Sequence, residues 1–250
     1  MAGKISDTNY NFAGKSVIVT GAGRGIGRAC AQAFADAGAE VIAVARSAED
    51  LDDLRTQAPG IQPWAMDVTD PAFIDRLAGL QKLDVLFNNA GTNRPQPFLE
   101  VSDDALEMML ELNVRAAFRT AQAAAQVMAR SGRGGAIVNM SSQMGHVGSP
   151  GRTVYCMTKH AIEGLTKAMA VELAPMGIRV NAIAPTFITT PMTAPMLADP
   201  DFRAFVDRMI PLGRVGTVED VVAGVLFLAS NQAAMITGDS LKVDGGWTAQ

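Results

Sequence analysis

Tyr155 and Lys159 are the residues whose types and spacing point most directly to chemistry. They stand four positions apart in a stretch with helical periodicity, so both side chains project from one face of the predicted helix. A tyrosine hydroxyl is a poor base near neutral pH because its ordinary pKa is about 10, but a neighbouring ammonium favours the phenolate and lowers that pKa. The pair therefore predicts general acid/base chemistry by Tyr155, adjusted by Lys159.

Ser142 lies 13 positions before Tyr155, just past a predicted strand. Its hydroxyl can hydrogen-bond the same substrate oxygen that Tyr155 protonates. The neighbouring Gln143 either contacts substrate hydroxyls or only finishes the strand edge. A Tyr-x-x-x-Lys spacing alone is common on solvated helices, so the interpretation depends on its combination with Ser142 and the glycine-rich loop described next.

The segment Thr20–Gly27 reads Thr-Gly-Ala-Gly-Arg-Gly-Ile-Gly, follows an apolar strand and opens a helix. Glycines in this context let the backbone turn tightly and approach a pyrophosphate at the helix N-terminus. The pattern predicts a dinucleotide site that includes Gly21, Gly25, Ile26 and Gly27. A glycine-rich turn that merely connects strand to helix is the disfavoured alternative, because both flanking elements are present.

The end of the second predicted strand, Val44-Ala45-Arg46-Ser47, bears on the choice of cofactor. An acidic residue there would hydrogen-bond the ribose 2′-hydroxyl and repel a 2′-phosphate. Arg46, with Ser47 beside it and a second cation at Arg24, instead favours NADP(H) over NAD(H) through charge-assisted hydrogen bonds. The alternative is that Arg46 is a solvated cation at a strand end.

Short β-branched runs alternate with longer Ala-rich periodic stretches, which predicts a parallel sheet with helices on both faces. Seven strands are predicted, at Ser16–Thr20, Glu40–Ala45, Gln62–Met66, Asp84–Phe87, Ala136–Met140, Arg179–Ala184 and Leu241–Val243. Helices are predicted to begin near Ile26, Ala48, Pro71, Asp103, Tyr155 and Val218. We interpret residues 1–250 as one α/β domain, with a cofactor half at about 14–140 and a catalytic and substrate half at about 141–250.

The connection from Pro185 to Gly216 is long, and it contains five prolines: Pro185, Pro191, Pro195, Pro200 and Pro211. It follows the carboxyl end of a strand, which is where doubly wound sheets bind their ligands. We therefore predict a substrate lid at 186–216. Met192 and Met196 lie on this segment as an adaptable apolar wall or as ordinary gap fillers.

Composition excludes several other classes of protein. The net charge is −4 and basic residues are scattered, so a nucleic-acid partner is not expected. The two cysteines are far apart, and His146 and His160 lack partners at ligand spacing, so neither a disulfide nor a metal site is predicted. The N-terminus, residues 1–14, lacks an apolar targeting region and no apolar run approaches the ~18 residues of a membrane span, so we expect a cytoplasmic protein with no membrane partner.

Taken together, these residues resemble the classical type of the short-chain dehydrogenase/reductase family over essentially the whole chain. The matching motifs are the loop at Thr20–Gly27, the run Asn88-Asn89-Ala90-Gly91, Asn113, Ser142, Tyr155-Cys156-Met157-Thr158-Lys159 and Val243-Asp244-Gly245-Gly246. The resemblance implies a single Rossmann-type doubly wound domain, a seven-stranded mostly parallel sheet and, as is usual for classical members, a homotetramer.

The resemblance also implies roles for individual residues. Tyr155 is the general acid/base, Lys159 holds the nicotinamide ribose, Ser142 orients the substrate oxygen, and Asn113 supports a water-linked proton relay. The other cofactor contacts it implies are Asp67 and Val68 at the adenine, Asn89, Ala90 and Gly91 beside the cofactor, and Pro185, Ile188 and Thr190 near the carboxamide. Without its partners, Asn113 would be interpreted as an ordinary cap or surface amide. Asn88 is interpreted as a structural bracket between strands and not as a ligand. Asp67 could cap the helix that starts near Pro71, although Asp70 is the better candidate for that cap.

One departure from the family pattern is Thr186, which follows Pro185 where a glycine is usual. It puts the path of that loop in doubt. The same Thr, with the Val44–Arg46 region, the stretch Gln96–Val101 and the run Ser141-Ser142-Gln143, makes the chain similar to members of the L-xylulose reductase and carbonyl reductase branch.

Arg152, three residues before Tyr155, gives a further clue to the substrate. Its guanidinium could clamp a carboxylate and hold the adjoining carbonyl against Tyr155, as in family members that act on hydroxy acids or sugar acids. An exposed loop cation or a subunit contact is an equal alternative.

We therefore expect an oxidoreductase that transfers a hydride between NADP(H) and a small polar carbonyl or secondary alcohol, such as a ketose, polyol, or sugar or hydroxy acid. The alternatives are an NAD(H)-dependent 3-hydroxy-acid or 3-oxoacyl reductase-like enzyme and, less favoured, a nucleotide-binding protein that has lost its chemistry.

Overall fold

A computed structural model describes residues 10–250. Its centre is a seven-stranded sheet in the order β3-β2-β1-β4-β5-β6-β7, and all neighbouring strands run parallel. The strands are β1 (Ser16–Thr20), β2 (Glu40–Ala45), β3 (Ile61–Ala65), β4 (Val85–Asn88), β5 (Gly135–Met140), β6 (Ile178–Pro185) and β7 (Ser240–Val243). The predicted fold class and strand number are confirmed, and each predicted strand end is right to within one residue.

Nine α-helices occur in the described part of the chain. They are α1 (Gly25–Asp36), α2 (Ala48–Gln57), α3 (Pro71–Ala78), α4 (Asp103–Leu110), α5 (Ala117–Ser131), α6 (Thr153–Leu173), α7 (Ala194–Leu197), α8 (Pro200–Met209) and α9 (Val218–Ala229). The helix predicted to begin near Tyr155 starts two residues earlier. The prediction also gave no separate start for α5, which continues from α4 through a π-helical turn, Glu111–Ala116.

The helices cover both faces of the sheet and form two apolar layers. On one face, α1, α2 and α9 pack on the sheet through residues such as Phe34, Leu54 and Val225. On the other, α3, α5 and α6 do so through residues such as Phe73 and Met128. Because both faces are buried, the central strands are apolar along their length instead of alternating.

Local signals explain where several helices begin. Ser102 caps α4 by accepting from the backbone N–H of Ala105, and Asp70 caps α3 by accepting from that of Ala72. Thr217 and Asp220 form a reciprocal capping box at the start of α9. These features set the helices at defined registers over the sheet edge that carries the site.

The connection between β6 and β7 has the opposite hand to that between β1 and β2. Both place their helix, α9 and α1 respectively, on the same face, but the chain moves across the sheet in opposite directions. Parallel crossovers are nearly always right-handed, and here the long segment 186–216 supplies the chain that the reversal needs. Its two ends are joined by a bridge between Ile188 and Gly216.

Thr186 is accommodated without strain. Its backbone N–H donates to the carbonyl of Val243 at 3.1 Å, and every residue with positive φ in the described chain is a glycine. The loop after β6 therefore follows a path on which a β-branched residue is allowed.

None of the helices in residues 10–250 combines the length and apolar character needed to cross a bilayer. The prediction about the N-terminal segment rests mostly on residues 1–9, which lie outside the described part of the chain.

Candidate active site

A cleft of about 770 Å³ opens at the carboxyl ends of β1, β2 and β4. Its walls include 13 of the predicted cofactor residues: Gly21, Arg24, Gly25, Ile26, Gly27, Arg46, Ser47, Asp67, Val68, Asn89, Ala90, Gly91 and Thr190. Motifs separated by up to 169 positions in the sequence thus converge on one surface. This is the position that the reversal of strand order between β1 and β4 predicts for a ligand.

The loop at Thr20–Gly27 has the shape that a pyrophosphate requires. A Cβ on Gly27 would collide with the carbonyl of Gly21 and lie 2.6 Å from the Asn89 amide nitrogen. Gly21 and Gly25 have φ of +67° and +54°. No side chain caps the N-terminus of α1 and no acidic residue lies in its first turn, so its N–H groups face the cleft unmatched. The residues present therefore fit a dinucleotide.

At the adenosine end, the two predicted cations are each close to a carboxylate. The Nε of Arg24 donates to Asp50 at 2.8 Å, and Arg46 lies 4.0 Å from Asp67 with 81% of its side chain exposed. The hydroxyl of Ser47 accepts from the backbone N–H of Asp50 and caps α2. Asp50 lines the cleft and was not predicted, because its position on α2 gives no sequence signal.

Asparagines hold the strand ends that form the floor of the cleft. Asn89 donates its side-chain amide to the carbonyl of Thr20 at 2.8 Å, and the Thr20 hydroxyl accepts from the backbone N–H groups of Asn89 and Ala90. Asn88 donates to Ala117 and Asn139, which matches the prediction of a bracket between elements. Asp67 accepts from Thr69 and leaves the capping of α3 to Asp70.

Asn113 lies in the π-helical turn between α4 and α5 and is 2% exposed. Its side chain accepts from the backbone N–H of Thr92 at 2.8 Å and donates to the Thr92 carbonyl, also at 2.8 Å. It donates further to the hydroxyl of Thr158, the residue just before Lys159, at 3.2 Å. The π turn thus places a buried amide between the loop after β4 and the catalytic helix, as π-turns at functional sites often do.

Tyr155, Ser142 and Lys159 come together, although none of the three is among the residues that line the cleft. Burial is the largest effect on Tyr155 and raises its pKa to about 12, while a hydrogen bond with Ser142 and the charge of Arg152 lower it. Lys159 is 4% exposed, donates to the Met140 carbonyl at 2.8 Å and lies with its Nζ 5.5 Å from the Tyr155 ring centroid. Burial lowers the pKa of Lys159 to about 8.

In the protein without a bound cofactor, the predicted lowering of the Tyr155 pKa by Lys159 is therefore wrong. Burial outweighs the favourable charges, and the cation that opposes it is Arg152. An oxidised nicotinamide ring, when bound, supplies the further positive charge that favours the phenolate.

Arg152 is 7% exposed, so the alternative of an exposed loop cation is wrong. One of its terminal nitrogens contacts the Met196 sulfur at 3.1 Å, and the other is buried without a hydrogen-bond partner. Burial lowers the pKa of Arg152, as expected for a cation that has no carboxylate beside it.

Several buried polar atoms in the loops that follow β4, β5 and β6 also lack hydrogen-bond partners within residues 10–250. They include the amide oxygen of Asn93, the hydroxyls of Ser141 and Thr186, and the amide nitrogen of Gln143. Sequence reasoning placed Met196 on the predicted lid but did not predict its contact with Arg152, because only the folded chain brings these two residues together. Pro185 and Ile188 were also predicted as cofactor contacts, but both are buried and neither lines the cleft.

The fold and this arrangement define a nucleotide-dependent oxidoreductase of Rossmann type. The family model described as enoyl-(acyl carrier protein) reductase matches residues 21–248. The chain belongs to the short-chain dehydrogenase/reductase family, and the predicted resemblance is confirmed.

Similar proteins include sugar and carbonyl reductases. The chain is 46% identical to L-xylulose reductase from Mus musculus, over 96% of this chain and 99% of that protein. It is 40% identical to carbonyl reductase [NADPH] 2 from Sus scrofa, over 96% and 98% of the two chains. The structure of a gluconate 5-dehydrogenase from Burkholderia cenocepacia in complex with NADP and tartrate is 30% identical, with a TM-score of 0.91 over 97% of this chain and 98% of that one.

Proposed function

We propose that the protein transfers a hydride between NADP(H) and the carbonyl or carbinol carbon of a small hydroxylated substrate that carries a carboxylate. The observation that supports a carboxylate on the substrate is the buried guanidinium of Arg152, which has an unpaired nitrogen. This guanidinium lies close enough to Tyr155 for its charge to lower the pKa of the Tyr155 hydroxyl. A buried cation without a partner is costly, so an anionic ligand group at this point is the simplest way to satisfy it.

In the proposed reaction, Tyr155 donates its hydroxyl proton to the substrate oxygen during reduction. Its raised pKa keeps it protonated at neutral pH, which suits the acid role, and Ser142 holds the same oxygen by a hydrogen bond. Lys159 binds the nicotinamide ribose, and the buried amide of Asn113 holds the loop and the helix that border the proton path. The cofactor supplies or accepts the hydride.

The substrate class follows from the polar atoms around Tyr155. Besides the unpaired nitrogen of Arg152, the amide nitrogen of Gln143 and the hydroxyl of Thr186 have no hydrogen-bond partner. Such groups can form hydrogen bonds with the hydroxyls of a sugar or a hydroxy acid. The tartrate in the Burkholderia cenocepacia structure is a hydroxylated dicarboxylate, and the Mus musculus relative is named for a ketose. Both agree with a small polar substrate.

NADP(H) is proposed because Arg24 and Arg46 flank the adenosine end of the cleft. A 2′-phosphate would take the free donors of both guanidinium groups. Asp50 opposes this choice, since its carboxylate already holds Arg24, and it is the observation that favours the alternative of an NAD(H)-dependent enzyme.

The proposal is tested by following oxidation of NADPH and NADH over a panel of ketoses, 2- and 3-keto acids, keto-aldonates and dicarbonyls. We expect NADPH to be preferred and keto acids with hydroxyl groups to have the highest kcat/KM. A marked preference for NADH would contradict the cofactor assignment. Tight NADPH binding with no turnover of any substrate would instead support a nucleotide-binding protein without chemistry.

The role of Arg152 is tested by Arg152→Gln. We expect kcat/KM for carboxylated substrates to fall roughly 100-fold while that for neutral ketoses changes little, because a lost charge-assisted pair costs about 2–4 kcal/mol. Arg55→Gln, at an exposed arginine on α2 that does not line the cleft, serves as the control and should leave both values unchanged. Equal losses of kcat/KM for carboxylated and neutral substrates would contradict a contact between Arg152 and a substrate carboxylate.

A further inference from the structure

A buried carboxylate that the proposed mechanism does not use lies one helical turn beyond Lys159. Glu163 is 6% exposed and belongs to α6, four residues after Lys159, so the two side chains lie on the same face of the helix. A buried carboxylate needs hydrogen bonds and a counter-charge to be stable. Its partners therefore indicate what it does.

Glu163 is held from two other elements. The Ser240 hydroxyl on β7 donates to its Oε1 at 2.9 Å, and His146 Nε2, from the loop after β5, lies 3.2 Å from the same oxygen. His146 Nε2 also lies 3.0 Å from the Ser240 hydroxyl. Because the Ser240 hydroxyl donates its hydrogen bond to Glu163, it must accept a hydrogen bond from His146. This assigns the ring proton of His146 to Nε2.

The same place is where the loop carrying Ser142 and Gln143 meets the catalytic helix. A Cβ on Gly145 would lie 3.1 Å from Cγ of Glu163 and 3.1 Å from the Lys159 carbonyl, so the loop and the helix are in close contact. The titratable groups that contacts and helical spacing bring to Glu163 are His146 on this loop, and Lys159 and the exposed Lys167, each one turn away on its own helix. On β7, Ser240 is uncharged and Lys242 is exposed.

We propose that Glu163, fixed by Ser240 and His146, is a positioning residue that keeps the ammonium of Lys159 charged where it holds the cofactor. The two side chains are both buried and lie one helical turn apart on one face of α6, with no direct ion pair between them among the described residues. At this separation in a buried setting, the negative charge of Glu163 opposes the loss of the proton that burial of Lys159 favours. The inference rests on the role proposed for Lys159 and gives the Glu163–Ser240–His146 cluster a function that binding of substrate does not require.

The test uses the full-length protein and substitutions that separate charge from shape. Glu163→Gln keeps the size and the hydrogen-bond acceptor but removes the charge. Glu163→Met also removes the charge and is expected to fold at least as well, because replacing a buried charge by an apolar side chain of similar volume is often neutral or stabilising. Glu163→Asp retains the charge, Ser240→Ala removes only the hydroxyl donor, and Glu172→Gln is a matched control at an exposed position of α6.

The first readout is the titration of Lys159 in the protein without cofactor, followed by NMR of its ¹³C-labelled Cε and assigned with Lys159→Met. The second is the Kd for NADPH between pH 6 and 8.5. In Glu163→Gln and Glu163→Met, Lys159 should lose its proton at lower pH than in the wild type. The ratio of variant to wild-type Kd should then grow from near one at pH 6 to about five- to tenfold at pH 8.5, as expected if the lysine titrates roughly one pH unit lower.

Glu163→Asp, Ser240→Ala and Glu172→Gln should titrate like the wild type. The inference is overturned if Lys159 titrates at the same pH with and without the Glu163 charge, or if Ser240→Ala shifts it as far as Glu163→Gln does. A shifted titration with an unchanged NADPH Kd at every pH would overturn the cofactor role of Lys159 instead. That outcome separates failure of the proposed function from failure of the charge effect.

Discussion

The buried ammonium group of Lys159 lowers the stability of the folded protein. Its ordinary pKa is 10.5, and burial lowers the pKa to about 8 in the folded protein. Below pH 8 both the folded and the unfolded chain carry the proton, so the full desolvation penalty of the buried ammonium acts on the folded state. As pH rises from about 8 to 10.5, the folded protein releases this proton first and the penalty disappears.

Lys159→Met therefore makes a pH-dependent prediction about stability. We expect the free energy of unfolding of the wild type to rise relative to that of the variant as pH increases from about 8 to 10, by on the order of 1–3 kcal/mol. Urea unfolding of both proteins at several pH values measures it, and effects of Tyr155 cancel because both carry it. A difference that is constant with pH would contradict a lowered pKa for Lys159.

Asp50 makes a second prediction at the residue scale. Asp50→Asn should release Arg24 and remove a negative charge from the adenosine end, so the ratio of kcat/KM with NADPH to that with NADH should rise roughly two- to fivefold, the range expected for an exposed ion pair. Asp52→Asn, on the same helix and paired with Arg55 away from the cleft, is the control. A fall in the ratio would show that Asp50 does not compete with the 2′-phosphate for Arg24.

The sequence predicted the placement of Tyr155 and Lys159 on one helix and the position of the glycine loop between β1 and α1, because spacing within a single element fixes this geometry. Ser142 lies on a different element, the loop after β5, and its contact with Tyr155 depends on the fold. The sequence could not show that Arg152 is buried. That depends on Met196, 44 positions away, being brought against the guanidinium by the segment after β6. The pKa of Tyr155 was mispredicted for a similar reason, since the burial that raises it is produced by distant parts of the chain.

At the scale of elements, the contact between the loop after β5 and α6 sets the position of Ser142. Gly145→Ala should force these two elements apart, because its Cβ would lie 2.8 Å from the Ser141 hydroxyl and about as close to α6. We expect a loss of about 1–3 kcal/mol in the free energy of unfolding and a lower kcat with the fold retained.

Gly148→Ala is the matched control for this substitution, since it lies three residues further along the same loop, has no positive φ, and would place its Cβ with no other heavy atom within 4 Å. Thermal unfolding and steady-state kinetics of the two variants measure the difference. Equal behaviour of both would mean that the loop does not depend on close packing against α6.

Periodicity and caps predicted most elements well, since apolar runs and residues such as Ser102 and Asp70 act locally. The π turn at Glu111–Ala116 was not predicted, because one extra residue in a helical turn leaves the apolar pattern almost unchanged. The left-handed connection from β6 to β7 could not be predicted from the sequence either, because its handedness depends on which face of the sheet α9 occupies.

At the scale of the whole molecule, the homotetramer implied by the family resemblance is still a prediction. Exposed apolar side chains lie on two helices that cover the same face of the sheet, namely Phe118 on α5 and Met157 and Val171 on α6, with Val171 80% exposed. Such residues are typical of surfaces that associate. We therefore expect this helical face to contact a second copy of the chain.

Light scattering after size-exclusion chromatography should give about four times the 26.3 kDa mass of one chain. Phe118→Glu combined with Val171→Glu should yield smaller species with the circular dichroism of the fold retained, and Met235→Glu, at an exposed residue outside these helices, should not. A monomeric wild type would contradict the prediction, and an unchanged mass in the double variant would place the interface elsewhere.

The bridge between Ile188 and Gly216 has a consequence for how this enzyme could change its substrate. Because the two ends of the intervening chain are hydrogen-bonded neighbours, the bridge holds the start and the end of the segment at one place beside β6 and α9. The segment contacts Arg152 through Met196, and it also packs Val206 and Ile210 into a buried apolar cluster with Trp247. We therefore expect an exchange of residues 189–215 between relatives to change substrate preference without loss of the fold only where these apolar residues are kept.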